Sequence, residues 1–154
     1  MRRVDPTNPE WELIVASVPQ LVDTFAARLD AMGQARRSTK ELLDIAEDGL
    51  HGRAPYELWQ AGPCLVGLNI VQQWWSTDSM LFEEFIVRYK EGNFADTIKE
   101  LETYAEAQGC TSLVISSLAQ LRKESYGHYL KRKGFREVAR QYMKGIPNGW
   151  THRS

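Results

Sequence analysis

The hydrophobic period of this chain changes at Tyr56, and that change limits the folds open to it. Before it, apolar residues recur every three or four positions: Leu21, Val22, Phe25, Leu29 and Met32, then Leu42, Leu43, Ile45, Ala46 and Leu50. That spacing lays one stripe along a helix. From Tyr56 the apolar residues alternate, in Tyr56-Glu57-Leu58-Trp59-Gln60, or run together, from Cys64 to Trp75 and from Met80 to Lys90. The breaks between these runs, Ala61-Gly62-Pro63 and Ser76-Thr77-Asp78-Ser79, are turn signals. A period of two marks strands, so residues 56–90 predict a three-stranded antiparallel meander, and the helices before it must cover a sheet.

Local signals extend this reading to both ends. Residues 1–10, with Pro6 and Pro9, predict an arm, residues 11–146 one domain, and residues 147–154 a tail. Trp11 to Ser17 predicts a short strand, and Pro19 the first turn of the first helix, which Gly33 ends. Ser38 with Glu41 three residues on is a capping box for the second helix, closed by Gly52. A third helix carries Ala95, Ile98, Leu101 and Ala105 and stops at Gly109. Thr111 to Ser117 predicts a strand, Ser125 to Lys133 a helix capped by Gly134, and Phe135 to Lys144 a last strand. The fold class is α/β (α+β): a mixed, mostly antiparallel sheet flanked by helices.

Composition removes several classes of function. A length of 154 residues suits one domain with its own core. The charges, 19 Lys and Arg against 20 Asp and Glu, argue against a general nucleic-acid binder, since that affinity rests on excess cations. No apolar run reaches the roughly 20 residues of a membrane span, and no apolar stretch follows Met1-Arg2-Arg3, so the reading is a cytoplasmic protein without a signal peptide. Cys64 and Cys110 read as small buried hydrophobes, and His51, His128 and His152 show no metal spacing.

The element order resembles the GNAT superfamily of N-acetyltransferases. Two helices precede the meander. Its third strand, Leu81-Phe82-Glu83-Glu84-Phe85-Ile86-Val87-Arg88, runs into a tight loop and a helix, and the strand Leu113-Val114-Ile115-Ser116 follows. The segment Tyr129-Leu130-Lys131-Arg132-Lys133-Gly134-Phe135 is similar to the family's closing Tyr-x-x-x-Gly-Phe. The resemblance covers about residues 11–144 and implies transfer of an acetyl group from acetyl-CoA to a small-molecule or protein amine. It also resembles GNAT-like internal virion proteins of short-tailed bacteriophages. That likeness implies the alternative, a catalytically inactive structural or adaptor protein with protein partners in a larger assembly, located in a virion.

In the family, backbone N–H groups at the start of the third helix hold the pyrophosphate. The matching register is Lys90-Glu91-Gly92-Asn93-Phe94-Ala95, with Arg88 just before it. Lys90 takes the basic position, Phe94 the apolar slot and Ala95 the last small slot, while Asn93 replaces the central glycine. Asparagine is also a strong N-cap, so its side chain competes for the same N–H groups. Glu91 and Asp96 flank the loop, and Lys99 lies one turn on.

The chemistry needs a base for the ammonium proton and an acid for the departing thiolate. The resemblance points to a Glu on the third meander strand. Strand alternation puts Leu81, Glu83, Phe85, Val87 and Tyr89 on one face, making Glu83 a lone carboxylate among apolar residues with a raised pKa. Glu84 shares the other face with Phe82, Ile86 and Arg88. The family's frequent acid, a Tyr four residues before Gly-Phe, is Leu130 here. Tyr129 is about 100° away round a helix, and Tyr126, one turn earlier, is the candidate acid. The run Lys131-Arg132-Lys133 reads as a solvated helix end, or as a contact for the 3′-phosphate of coenzyme A or a nucleic-acid backbone. Trp74 and Trp75, on opposite faces of a strand, predict one core and one surface ring.

Overall fold

The computed structural model describes residues 1–116, 123–139, 142, 144 and 146. Five strands form one sheet in the order β1 (Arg2–Arg3), β2 (Glu57–Ala61), β3 (Cys64–Gln72), β4 (Ser79–Arg88) and β5 (Ser112–Val114). The first three pairings are antiparallel and β4–β5 is parallel. A parallel neighbour needs a crossover, and α3 (Phe94–Ala107) supplies it. Helices α1 (Trp11–Ala31) and α2 (Thr39–Leu50) precede β2, and α4 (Lys123–Arg132) follows β5.

Two apolar clusters hold the layers on the sheet. Val66, Leu68, Leu81 and Ile86 pack with Leu101 and Ala105 of α3. Leu58 and Leu65 pack with Ile14, Val18 and Val22 of α1 and Leu50 of α2. Among the described residues no helix is long and apolar enough to cross a membrane.

The segment Trp11 to Ser17 is helical, not a strand. Ile14, Val18, Val22 and Ala26 are all buried at four-residue spacing, and that continuous stripe overrides the local alternation. Pro19 therefore lies inside α1. Both Pro19 and Val15 are exposed, so water can serve the Val15 carbonyl that loses its helical partner. The N-terminal arm is also partly structured: Arg2 and Arg3 extend the sheet beside Gln60 and Trp59, and Val4 joins the core.

Strand β3 ends at Gln72, so Trp74 and Trp75 form the turn before β4 and both are exposed, at 91% and 67%. The strand expected over residues 111–117 pairs only at Ser112–Val114, with Ser117 outside the described residues. The strand expected over residues 135–144 is absent from the described residues 135–139. Most of its remainder, and the tail at 147–154, lie outside the described residues.

The decisive departure from simple alternation is in β4. Pairing steps from Gly67 opposite Phe85 to Leu68 opposite Glu83, so Glu84 has no partner across the strands. This bulge inserts one residue and reverses the facing of everything after it. Leu81 and Ile86, five residues apart, consequently share the cluster under α3, while Phe85, Val87 and Tyr89 pack beneath α1 and α2. Gly67 makes room for the exchange: a Cβ there would lie 2.5 Å from Cε1 of Phe85. Glu83 thus shares its face with Leu81 and Ile86, not with Phe85, Val87 and Tyr89. Glu84 is exposed and accepts from Nδ2 of Asn69 at 2.8 Å, so its partner is not Arg88.

Candidate active site

Strands β4 and β5 pair only from Met80 opposite Ser112 to Phe82 opposite Val114. Glu83 is the next residue of β4, and the chain beyond β5 answers it through a side chain rather than a ladder bond. The Ser116 N–H donates to Oε2 of Glu83 at 3.0 Å. Glu83 is buried, with 4% of its surface exposed. Burial pushes its carboxyl up to about 8; the Ser116 N–H pulls the other way, and the neighbouring Glu84 charge adds to the rise. A carboxyl so placed can exchange a proton in mildly alkaline solution.

Helix α4 brings Tyr126 to the same region. Its hydroxyl is buried and has no hydrogen-bond partner among the described residues. Burial raises its pKa, the nearby Glu83 carboxylate raises it further, and the phenol stays protonated as a proton donor. Phe94, at the first position of α3, lies 5.9 Å from the Tyr126 ring and 5.7 Å from the Tyr129 ring. Tyr129 therefore belongs to this cluster, and its hydroxyl is likewise buried without a partner. The sequence contained that signal: residues three apart share a helix face. Leu130 is buried as core.

The loop before α3 is satisfied by its own chain. Asn93 is the N-cap, with Oδ1 accepting the Ala95 N–H at 2.9 Å. Gly92 has a φ of +153°, and a Cβ there would meet Pro63 at 2.8 Å. Arg88 donates to the Gly92 carbonyl. Lys90 Nζ donates to both carboxylate oxygens of Glu10 at 2.9 Å, and the Tyr89 hydroxyl donates to Oε2 of Glu10 at 2.8 Å. The Lys90 ammonium, then the Tyr89 hydroxyl, hold the Glu10 carboxyl below its usual range. Beside the loop a groove of about 340 Å³ is lined partly by Glu91, Asp96 and Glu100.

The residues at the start of α3 therefore do not fit a pyrophosphate. The Ala95 donor is capped, Arg88 and Lys90 are engaged, and the groove carries three carboxylates against Arg2 and a Met1 ammonium already paired with Glu100. The candidate site consists of two separate parts. Glu83 lies where β4 and β5 cease to pair and near Tyr126, which with Tyr129 flanks the Phe94 ring, while Arg88, Lys90, Gly92, Asn93 and Ala95 make the self-satisfied turn into α3. Among the described residues no group of three or more His, Cys, Asp or Glu could hold a metal ion.

No family model and no curated protein matches the sequence. Solved structures do match. An assigned acetyltransferase from Arthrobacter sp. FB24 superposes with a TM-score of 0.54 and 14% identity, over 85% of this chain and 91% of that one. An integron cassette protein from the mobile metagenome of V. cholerae gives 0.52 and 14% identity, over 86% and 88%. An aminoglycoside acetyltransferase from an uncultured soil metagenomic sample gives 0.50 and 14% identity, over 86% and 91%. The fold is thus GNAT-like: among the described residues, a five-stranded, mostly antiparallel sheet with four helices.

Proposed function

We propose that the chain transfers an acetyl group from a thioester to an amine. The observation that carries this reading is a buried carboxyl with no cation among the described residues, near a tyrosine hydroxyl that is buried with no partner among them, at the point where two parallel strands part. Such groups cost stability. In the reaction the substrate ammonium gives a proton to Glu83. The free amine attacks the thioester carbonyl, the C–N bond forms and the C–S bond breaks. The departing thiolate takes the Tyr126 proton, and the proton shed by the acylated nitrogen restores the Tyr126 phenol, while Glu83 returns its own proton to water. Acetyltransferases among the solved structures of this fold support the reading.

The test is thiol release from acetyl-CoA in the presence of a panel of amines. Glu83→Gln should lower turnover by about 10²–10⁴-fold, the usual worth of a positioned base. Unchanged turnover would remove Glu83 from the mechanism. One observation, the self-satisfied turn before α3, favours a second reading: a non-catalytic adaptor on the same fold. Calorimetric silence at millimolar acetyl-CoA, together with no turnover, would support that reading.

A further inference from the structure

An acetyl thioester donor of the coenzyme A type carries phosphates, and the start of α3 offers them no free cation from Arg88 or Lys90. The chain holds other cations, and its excess positive charge is concentrated. Residues 122–154 contain nine Lys and Arg against two Glu, whereas residues 1–121 contain ten against eighteen Asp and Glu. Half of the cations in the acidic part are paired: Arg3 with Glu57, Arg36 with Asp30, Arg37 with Glu41, Arg53 with Asp48 and Lys90 with Glu10. Lys131, Arg132, Lys133 and Arg136 are exposed and form no ion pair among the described residues.

The end of α4 does not consume them either. A helix C-terminus attracts cations through its unpaired carbonyls. Here the Lys133, Phe135 and Gly134 N–H groups donate to the carbonyls of Tyr129, Leu130 and Lys131 at 3.2, 3.0 and 3.1 Å. Those carbonyls are satisfied without the four cations. Two of them adjoin the candidate site: the Arg132 guanidinium lies 6.0 Å and Lys133 Nζ 5.7 Å from the centre of the Tyr129 ring. Tyr129 touches Phe94, and Phe94 touches Tyr126, so one aromatic cluster joins these cations to the reacting end.

We infer that Arg132 and Lys133, at the C-terminal end of α4, hold the phosphates of the thioester donor in place of the start of α3. The inference rests on the proposed acetyl transfer for the identity of the ligand. It assigns the donor's anionic end to a different helix, and to side-chain cations rather than backbone N–H groups. Arginine suits a phosphate because its donors form a planar fork.

The test compares binding of acetyl-CoA, acetyl-dephospho-CoA and acetyl-pantetheine, which share a thioester and differ in phosphate, by calorimetry at low and high salt. The unmodified chain should bind acetyl-CoA at least about tenfold more tightly than acetyl-pantetheine, with the difference shrinking as salt rises. The pair Arg132→Gln with Lys133→Gln should bring the two ligands within about threefold, whereas Arg88→Gln or Lys90→Gln should leave the preference in place. The dephospho form separates a pyrophosphate contact, which it retains, from a 3′-phosphate contact, which it lacks; either supports the inference. A preference that survives in the double variant, a preference lost with Lys90→Gln, or no binding of acetyl-CoA would overturn it. Turnover of acetyl-pantetheine, and its loss in Glu83→Gln, reads the proton chemistry alone. Phosphate-dependent binding without turnover would therefore sink the enzymatic reading and leave the phosphate site standing.

Discussion

Replacing Glu83 with Gln should stabilise the protein in alkaline solution while lowering its turnover by about 10²–10⁴-fold. Gln keeps the shape and can still accept from the Ser116 N–H, but it cannot ionise. In the native chain the Glu83 carboxyl titrates at about 8, against 4.5 for the ordinary group. Between those values the native state binds the proton that the unfolded chain has released, so stability falls as pH rises. Linkage over that interval gives a loss of about 4 kcal/mol between about pH 5 and about pH 9. For a domain with roughly 5–15 kcal/mol in total, this is a large fraction. Urea unfolding of both proteins across this pH range measures it. With a slope of about 1–3 kcal/mol per molar, the midpoint of the unmodified chain should fall relative to the variant by more than about 1 M. The two should converge in acid, where both side chains are neutral. Turnover of the unmodified chain should rise with pH through about 8 as the base forms. A constant difference between the two unfolding profiles would refute the buried, protonated Glu83.

Three further substitutions test other parts of the structure. Tyr126→Phe removes a buried hydroxyl without a partner, so thermal stability should hold or rise by up to about 1 kcal/mol while turnover falls by at least about tenfold; a clear loss of stability would mean that the hydroxyl is satisfied. Gly67→Ala forces a methyl against the Phe85 ring and should cost about 1–3 kcal/mol in chemical denaturation. Adding Phe85→Leu should recover part of that loss, and a neutral Gly67→Ala would contradict the packing that accompanies the bulge. Asn93→Ala removes the α3 cap and should cost about 1 kcal/mol by urea titration, whereas no change would show that another group serves the Ala95 N–H.

Much of the fold was legible because its determinants are short-range. The alternation in Tyr56 to Gln60 marks β2, and the Ser38–Glu41 spacing marks the α2 cap, where Ser38 Oγ accepts the Glu41 N–H at 3.2 Å. Asn93 was recognisable as a cap from its residue type. Glu83 was recognisable as a carboxylate in an apolar strand, although its neighbours on the face were misassigned. That error has one cause: the bulge depends on where Phe85 sits relative to Gly67 on the adjacent strand, which no run of residues within β4 encodes.

Between Ser38 and Val114 the sequence by itself determined the kinds of elements, their order and most of their ends, since periodicity, capping and turn residues act over a few positions. Tertiary structure decided what those elements do to one another. It drew Trp11 to Ser17 into α1 through a buried stripe, paired Lys90 with a carboxylate 80 residues away, and set Tyr129 beside Phe94. Each outcome depends on desolvation and on distances across the closed fold. A lysine near a helix start is a free anion ligand in the sequence and a neutralised one in the structure, because only packing decides which opposite charge reaches it first.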